Sequence, residues 1–215
     1  MQVKNLCFQH SKKSELFFKN ISFCLEEGKL HALHGKNGTG KTVLLHLLNN
    51  KRSSYAQIEG EVIGSEETLL VNQRFDYMIA DQFSFRENLQ FACMNRCPHM
   101  LYSLKQPEEY LDIIQKFSID IKEPVSKLSG GQRQILALLM VLQQKRKILL
   151  LDEPTATLDE ENARMVFEFL QVLANQGMTI LVVCHDQELV HRYVNGQHLY
   201  LKKEPNGLRT LQVMN

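Results

Sequence analysis

Almost no net charge separates the two signs in this 215-residue chain: it stands at +1 near neutral pH. That removes any electrostatic case for nucleic acid or an acidic partner. Lys51-Arg52 and Lys145-Arg146-Lys147 are too short for a binding stripe and read as solvated helix ends. No apolar run approaches the roughly 20 residues needed to span a bilayer. The longest, Ile135–Leu142, suits a buried helix. The start, "MQVKNLCFQH", has no basic stretch followed by an apolar one, so a secretory signal is not expected and a soluble protein is. Five cysteines, an odd number without framework spacing, exclude a disulfide scaffold and suggest a reducing compartment. Cys93, Cys97 and His99 lie close in sequence, but no second ligand pair stands at zinc-site spacing, and Cys often serves as a small apolar residue. Internal repeats and low-complexity linkers are absent too.

What remains is an ordinary globular composition, 44% hydrophobic and 23% charged, in a length that suits one large domain or a core with a small subdomain. The N-terminal third reads as strands. "FKNISFCLEEG" alternates before a turn, and "KLHALHG" runs into a glycine loop. A helix starts at Thr42, and "TLLVNQ" (68–73) is a further buried strand. From Arg74 to Val125 helical patterns, "FRENLQFACM" and "PEEYLDIIQKF", sit among Pro, Asn and Asp breaks. Strand–helix alternation then returns with "KILLLD", "EENARMVFEFLQVLANQG", "MTILVVCH" and a short helix from Asp186. The C-terminal segment predicts a hairpin turning at Pro-Asn-Gly. Strands apolar on both faces, alternating with helices, predict a parallel sheet covered on both sides.

Three segments carry chemistry. Gly35-Lys36-Asn37-Gly38-Thr39-Gly40-Lys41-Thr42 fits G-x4-G-K-[ST] between a strand and a helix. Its glycines permit close backbone approach, its N–H groups and the helix N-terminus face phosphates, Lys41 reaches the β/γ-phosphates and the Thr42 hydroxyl can ligate Mg²⁺. "KILLLDEP" sets Asp152 and Glu153 at the carboxyl end of a buried strand, the edge where open α/β sheets bind ligands. Asp152 suits the outer shell of Mg²⁺, and Glu153 could polarise a water. The third segment, "LSGGQRQ", opens a greasy helix with a second glycine grip. Ser129 offers a hydroxyl, and Gly130 and Gly131 offer bare N–H groups at a helix N-terminus.

In this order along the chain, these segments resemble the nucleotide-binding subunit of an ATP-binding-cassette (ABC) transporter. "GKNGTGKT" with Val43 resembles the Walker A loop, Gln73 the Q-loop, "LSGGQ" (Leu128, Ser129, Gly130, Gly131, Gln132) the signature, "ILLLDEP" Walker B with its glutamate, "ATLD" the D-loop ending in Asp159, and His185 the switch histidine. The resemblance implies an α/β P-loop NTPase: an ABC-type ATPase core with an N-terminal antiparallel β-subdomain over 1–73 and 126–215, and a small α-helical subdomain over 74–125. It implies ATP and Mg²⁺ as cofactors, with Thr42, Gln73 and Asp152 at the metal and Glu153 and His185 catalytic. It also implies that the signature acts in trans, on ATP held by a second copy of the chain or a related ABC subunit. Asp159 would cross that interface. The helical insert would dock on an integral membrane permease, at the cytoplasmic face of a bacterial inner membrane.

Two departures from the family stand out. His10 occupies the place of the aromatic residue that stacks on adenine. Phe8 shares its face and is the backup, although it could equally be core. Ile135 and Met140 stand where the family often has arginines, which puts turnover rate in question, while Arg133 lies close to the signature loop. The rival reading is a soluble ABC ATPase of translation or DNA repair, usually two fused cassettes or a cassette with a coiled coil, clamp or basic arm. A degenerate cassette is weakened by Glu153 and His185, and a small-molecule P-loop kinase by "LSGGQ".

Overall fold

The computed structural model describes residues 1–12, 14–50, 56–72, 78–93 and 111–214. In chain order its elements are β1 (Gln2–Gln9), β2 (Phe18–Cys24), β3 (Leu30–His34), α1 (Lys41–Leu48), β4 (Gln57–Ile63), β5 (Thr68–Val71), α2 (Phe85–Cys93) and α3 (Leu111–Lys116). There follow α4 (Gly130–Leu142), β6 (Ile148–Asp152), α5 (Glu160–Asn175), β7 (Thr179–Val183), α6 (Gln187–Tyr193), β8 (His198–Lys203) and β9 (Arg209–Met214). Gln73, Cys97 and His99 lie outside the described residues.

The described chain divides into two units. The first takes residues 1–73, 146–154 and 170–215 and holds one nine-stranded sheet ordered β4-β1-β2-β9-β8-β3-β7-β6-β5. β5, β6, β7, β3 and β8 pair in parallel. β1 pairs antiparallel with both β2 and β4, and β8 with β9. The all-parallel expectation therefore holds for the central strands, whose every residue in β3, β6 and β7 is buried. On the N-terminal side β1, β2 and β4 alternate and pair antiparallel, as the family resemblance implies for an N-terminal antiparallel β-subdomain. β8 and β9 form the expected hairpin, with Glu204 and Leu208 closing the turn.

β4 is the strand that the sequence pattern left unnamed. "QIEGEVI" has no fully buried residue, and only Ile58 and Val62, half-buried against the core, mark its apolar face. Gly60 sits at its centre with φ 89°, and a Cβ there would come 2.4 Å from the Asn5 carbonyl oxygen. Only glycine permits that approach beside the β1–β4 register shift.

On one face of the sheet a core gathers Val3, Leu6 and Phe8 of β1, Phe18, Ile21 and Phe23 of β2, Leu44, Leu45 and Leu48 of α1, and Leu150, Leu181 and Val183 of the parallel strands. The leucine face of α1 thus anchors the helix whose N-terminus ends the glycine loop. Each such leucine, fully buried, contributes about 1.5–3 kcal/mol.

The second unit takes residues 74–145 and 155–169. It extends beyond the expected 74–125 insert because α4 packs against α2. α2 begins at a capping box: the backbone N–H and hydroxyl of Ser84 both donate to Glu87 (2.7 and 2.6 Å). These bonds hold the Glu87 carboxyl below its ordinary range. Ile135 of α4 is fully buried, so an apolar side chain there serves packing. α5 begins in this unit and ends in the first.

Two buried histidines give the first unit a pH signature. The ring of His31 is held between Glu26 and Gln197: its Nδ1 accepts from the Gln197 N–H (2.8 Å), and Nε2 donates to the Glu26 carbonyl (3.0 Å). His34 Nε2 lies 3.0 Å from His198 Nδ1, and its ring stacks on Tyr200. Burial pushes both pKa values down, that of His34 to about 4 with a smaller contribution from His198. The unfolded chain takes up these protons from pH ~6.5 downward, before the folded chain can. Stability is therefore expected to fall between pH ~6.5 and ~4, with a melting temperature roughly 5 °C lower at the acid end. Circular-dichroism melts across that range check it, and His34→Gln should flatten part of the fall.

Candidate functional site

In the first unit three loops leave the same edge of the sheet. β3, β7 and β6 are neighbours and parallel, with Leu33 paired to Val183 and Asp152 to Val183. The glycine loop therefore leaves β3, Glu153 leaves β6 and His185 follows β7, all from carboxyl ends at one edge.

The glycine loop is built on backbone that side chains disfavour. Gly38 and Gly40 adopt φ 78° and 101°. A Cβ on Gly40 would sit 2.7 Å from the Phe17 ring. Thr39 Oγ1 donates to the Lys36 carbonyl (2.8 Å), closing the turn. Lys41 is buried, and its Nζ donates to the carbonyls of Gly35 (2.8 Å) and Lys36 (3.4 Å). A buried ammonium held only by carbonyls is a strong attractor for anionic oxygens. A cavity of about 630 Å³ borders Gly35 to Thr39 and the end of β8, where Lys202 and Lys203 add positive charge.

Thr42 Oγ1 donates to Asp152 Oδ2 at 2.6 Å. Asp152 is buried at the end of β6. A hydroxyl and a carboxylate converging beside a phosphate loop form the oxygen-only donor pair that suits Mg²⁺, which keeps several waters and takes one or two protein oxygens with the phosphates. Among the described residues no cluster of three or more His, Cys, Asp or Glu could hold a metal alone, so phosphate and water must complete any such shell.

Glu153 follows at once, with φ 52°. Its N–H donates to the Val183 carbonyl (3.1 Å), which pins this left-handed residue to β7. Its Oε1 accepts from His185 Nε2 at 3.0 Å. A carboxylate can only accept, so Nε2 carries the proton. The other carboxylate oxygen stays available to a water.

Phe8 is 5% exposed and belongs to the core, whereas His10 is exposed. The rings of Phe8, His10 and Phe17 meet edge to face: His10 lies 4.8 Å from Phe8 and 4.7 Å from Phe17. Arg209 stacks 3.7 Å from the Phe17 ring centre. Sequence reasoning missed Phe17 and Arg209; the only signal was an aromatic pair opening β2.

In the second unit Ser129 is the N-cap of α4 in a full capping box. Its Oγ accepts from the Gln132 N–H (3.2 Å), and Gln132 Oε1 accepts from the Ser129 N–H (3.1 Å). The Ser129 hydroxyl proton is thereby left to point elsewhere. The Gly131 N–H is not bare, as its place in the loop suggested: it donates to Asn162 Oδ1 at 2.9 Å. Asp159 caps α5 by accepting from the Asn162 N–H (2.9 Å) and side-chain amide (2.9 and 2.8 Å). Those bonds, the backbone one first, hold the Asp159 carboxyl below its ordinary range. Arg133, expected near the loop, pairs with Asp81 at 2.7 Å.

A phosphate loop, a threonine–aspartate oxygen pair and a glutamate–histidine pair at one sheet edge define a P-loop nucleotide-binding ATPase. Residues 18–156 match the family model described as ABC transporter. The chain is 32% identical over 209 residues to the energy-coupling factor transporter ATP-binding protein EcfA of Methanosphaera stadtmanae, covering 90% of this chain and 73% of that one. It is 32% identical over 213 residues to the arabinose import ATP-binding protein AraG of Mannheimia succiniciproducens, covering 89% of this chain and 41% of that protein. Among solved structures, cbiO1 of Clostridium perfringens, part of the ABC transporter complex cbiONQ, superposes with a TM-score of 0.74 at 24% identity, over all of this chain and 87% of that one. The chain belongs to the ABC transporter family, as one of its ATP-binding, ATP-hydrolysing subunits. These relatives are transporter proteins rather than translation or repair ATPases.

Proposed function

We propose that two copies of this chain close on two ATP molecules and that hydrolysis reopens them, driving a separate membrane permease. The observation that carries the catalytic half is the 3.0 Å bond between His185 and Glu153. ATP phosphates enter the glycine loop and replace the Gly35 and Lys36 carbonyls as partners of Lys41. Thr42 and Asp152 would hold Mg²⁺, with Gln73 as the further contact that the family resemblance implies. The cation supplies charge neutralisation on the phosphates when bound. Glu153 accepts the proton of the attacking water on the oxygen that His185 leaves open. His185, oriented by Glu153, directs its ring at the γ-phosphate side. His10 and Phe17 offer ring surface to adenine. The Ser129 hydroxyl and the Gly130 N–H of one copy cap the γ-phosphate of the other.

Support for a docked permease comes from the second unit. Met78, Phe83 and Phe91 are exposed there at 40%, 38% and 56%, and the two phenylalanine rings stack at 5.5 Å. Exposed aromatic pairs of this kind suit an apolar partner surface. Among the described residues no helix is long and apolar enough to cross a membrane; with ATP as its substrate and a membrane permease as its partner, the chain would sit on the cytoplasmic face.

Thr42→Val keeps the shape and removes the hydroxyl. Mg²⁺-dependent phosphate release is expected to fall about a hundredfold. ATP binding without magnesium should change little in a fluorescence titration. Unchanged hydrolysis would remove Thr42 from the metal site. Purification of the tagged chain from detergent-solubilised membranes is expected to bring an integral membrane protein with it. Recovery with ribosomes or DNA instead overturns the transporter reading.

A further inference from the structure

We propose that Asn162 is a positioning residue that ties the D-loop aspartate to the signature loop, so that a shift of Asp159 is felt at Gly131. The proposal rests on the reading that the signature loop caps ATP held by a second copy.

The tie is a short relay. Asp159 receives three hydrogen bonds from Asn162, one from its N–H and two from its amide nitrogen. The amide nitrogen faces both carboxylate oxygens of Asp159, which turns Oδ1 the other way. There Oδ1 accepts from the Gly131 N–H at 2.9 Å. The orientation of Oδ1 is thus set by the aspartate, and the Gly131 N–H follows Oδ1.

The fit leaves no room for anything else. A Cβ on Gly131 would lie 2.9 Å from Asn162 Oδ1 and 3.1 Å from its carbonyl oxygen. A Cβ on Gly130 would lie 3.0 Å from Leu158, the residue before Asp159. The second signature glycine is therefore required by contact with the D-loop helix in the same chain. Three of the first donors of α4 have separate tasks: Gln132 N–H is held by Ser129, Gly131 N–H by Asn162, and Gly130 N–H is left for phosphate. Ser129 and Gly130 contact ATP; Asn162 acts through Gly131 and touches no substrate.

The test uses Asn162→Ala, and Asp159→Ser, which keeps an oxygen to cap α5. Amide hydrogen exchange at Gly131 is read first, on the nucleotide-free chain. Both variants are expected to exchange about tenfold faster there than the parent, the worth of one lost hydrogen bond. Unchanged exchange in Asp159→Ser overturns the relay. ATP binding by the monomer and the melting temperature should stay near parental values. A loss of both marks Asn162 as merely structural and also overturns the proposal. In the Glu153→Gln background, ATP-driven dimerisation is expected to weaken about tenfold, and in the parent kcat should fall about tenfold with KM little changed. Should the Glu153→Gln parent itself stay monomeric with ATP, the shared-site reading fails, and the exchange result alone decides for or against the relay.

Discussion

Glu153→Gln is expected to lower ATP hydrolysis by a factor of about 10²–10⁴, the usual range for a positioned general base, while ATP binding persists. Glutamine has the same length, and its amide oxygen can still accept the His185 Nε2–H that now meets Oε1 at 3.0 Å. What is removed is the negative charge, and with it the ability to take a proton. If closure depends on ATP bound between two copies and opening depends on hydrolysis, the variant accumulates as a dimer. Light scattering with ATP and magnesium, set beside a phosphate-release assay, reads both halves. A variant that neither hydrolyses nor dimerises leaves the catalytic role intact and removes the shared site, at least for the isolated subunit.

Ser129→Asp is the second large effect. A bulky Ser129→Arg would block the loop, but it would also remove the N-cap of α4, at a cost of about 1 kcal/mol, and so confuse folding with function. Aspartate is as good a cap as serine and can still accept from Gln132 N–H. What it adds is a negative charge where a γ-phosphate should arrive. Hydrolysis is expected to drop about a hundredfold or more, with ATP still binding each monomer. The decisive arm is a mixture with Lys41→Ala, which has a damaged phosphate loop and a sound signature. If the signature serves the other copy, mixed dimers contain one sound site and activity returns in part. If each chain serves itself, the mixture stays dead.

Much of this molecule could be read in advance because the informative segments are loops whose residue types are dictated by chemistry. Gly38, Gly40 and Lys41 have few substitutes, so spacing alone disclosed the phosphate loop. Asp152 and Glu153 announced themselves as charges after a buried strand. β4 stayed hidden because only Ile58 and Val62 of this edge strand turn toward the core, with Gly60 between them, and so short a stripe gives little period to read. Phe8 and His10 share an alternation, and only packing assigns the first to the core and the second to the surface. The acceptor for Gly131 lies 31 residues downstream, and local pattern does not reach that far. The one available hint was that Asn162 stands three residues after a capping aspartate, the position whose N–H the cap accepts.

Glu153 also carries a consequence for how sequences of this kind drift. A non-glycine residue at φ 52° is held against its own preference, by about 1 kcal/mol or more. Glycine there would relax the backbone, and asparagine would tolerate it better. Substitution here therefore has a downhill direction in stability, toward a sturdier protein without the carboxylate that the proposed mechanism needs. The posture that the proposed base needs and the posture that its own backbone prefers are thus opposed at one residue.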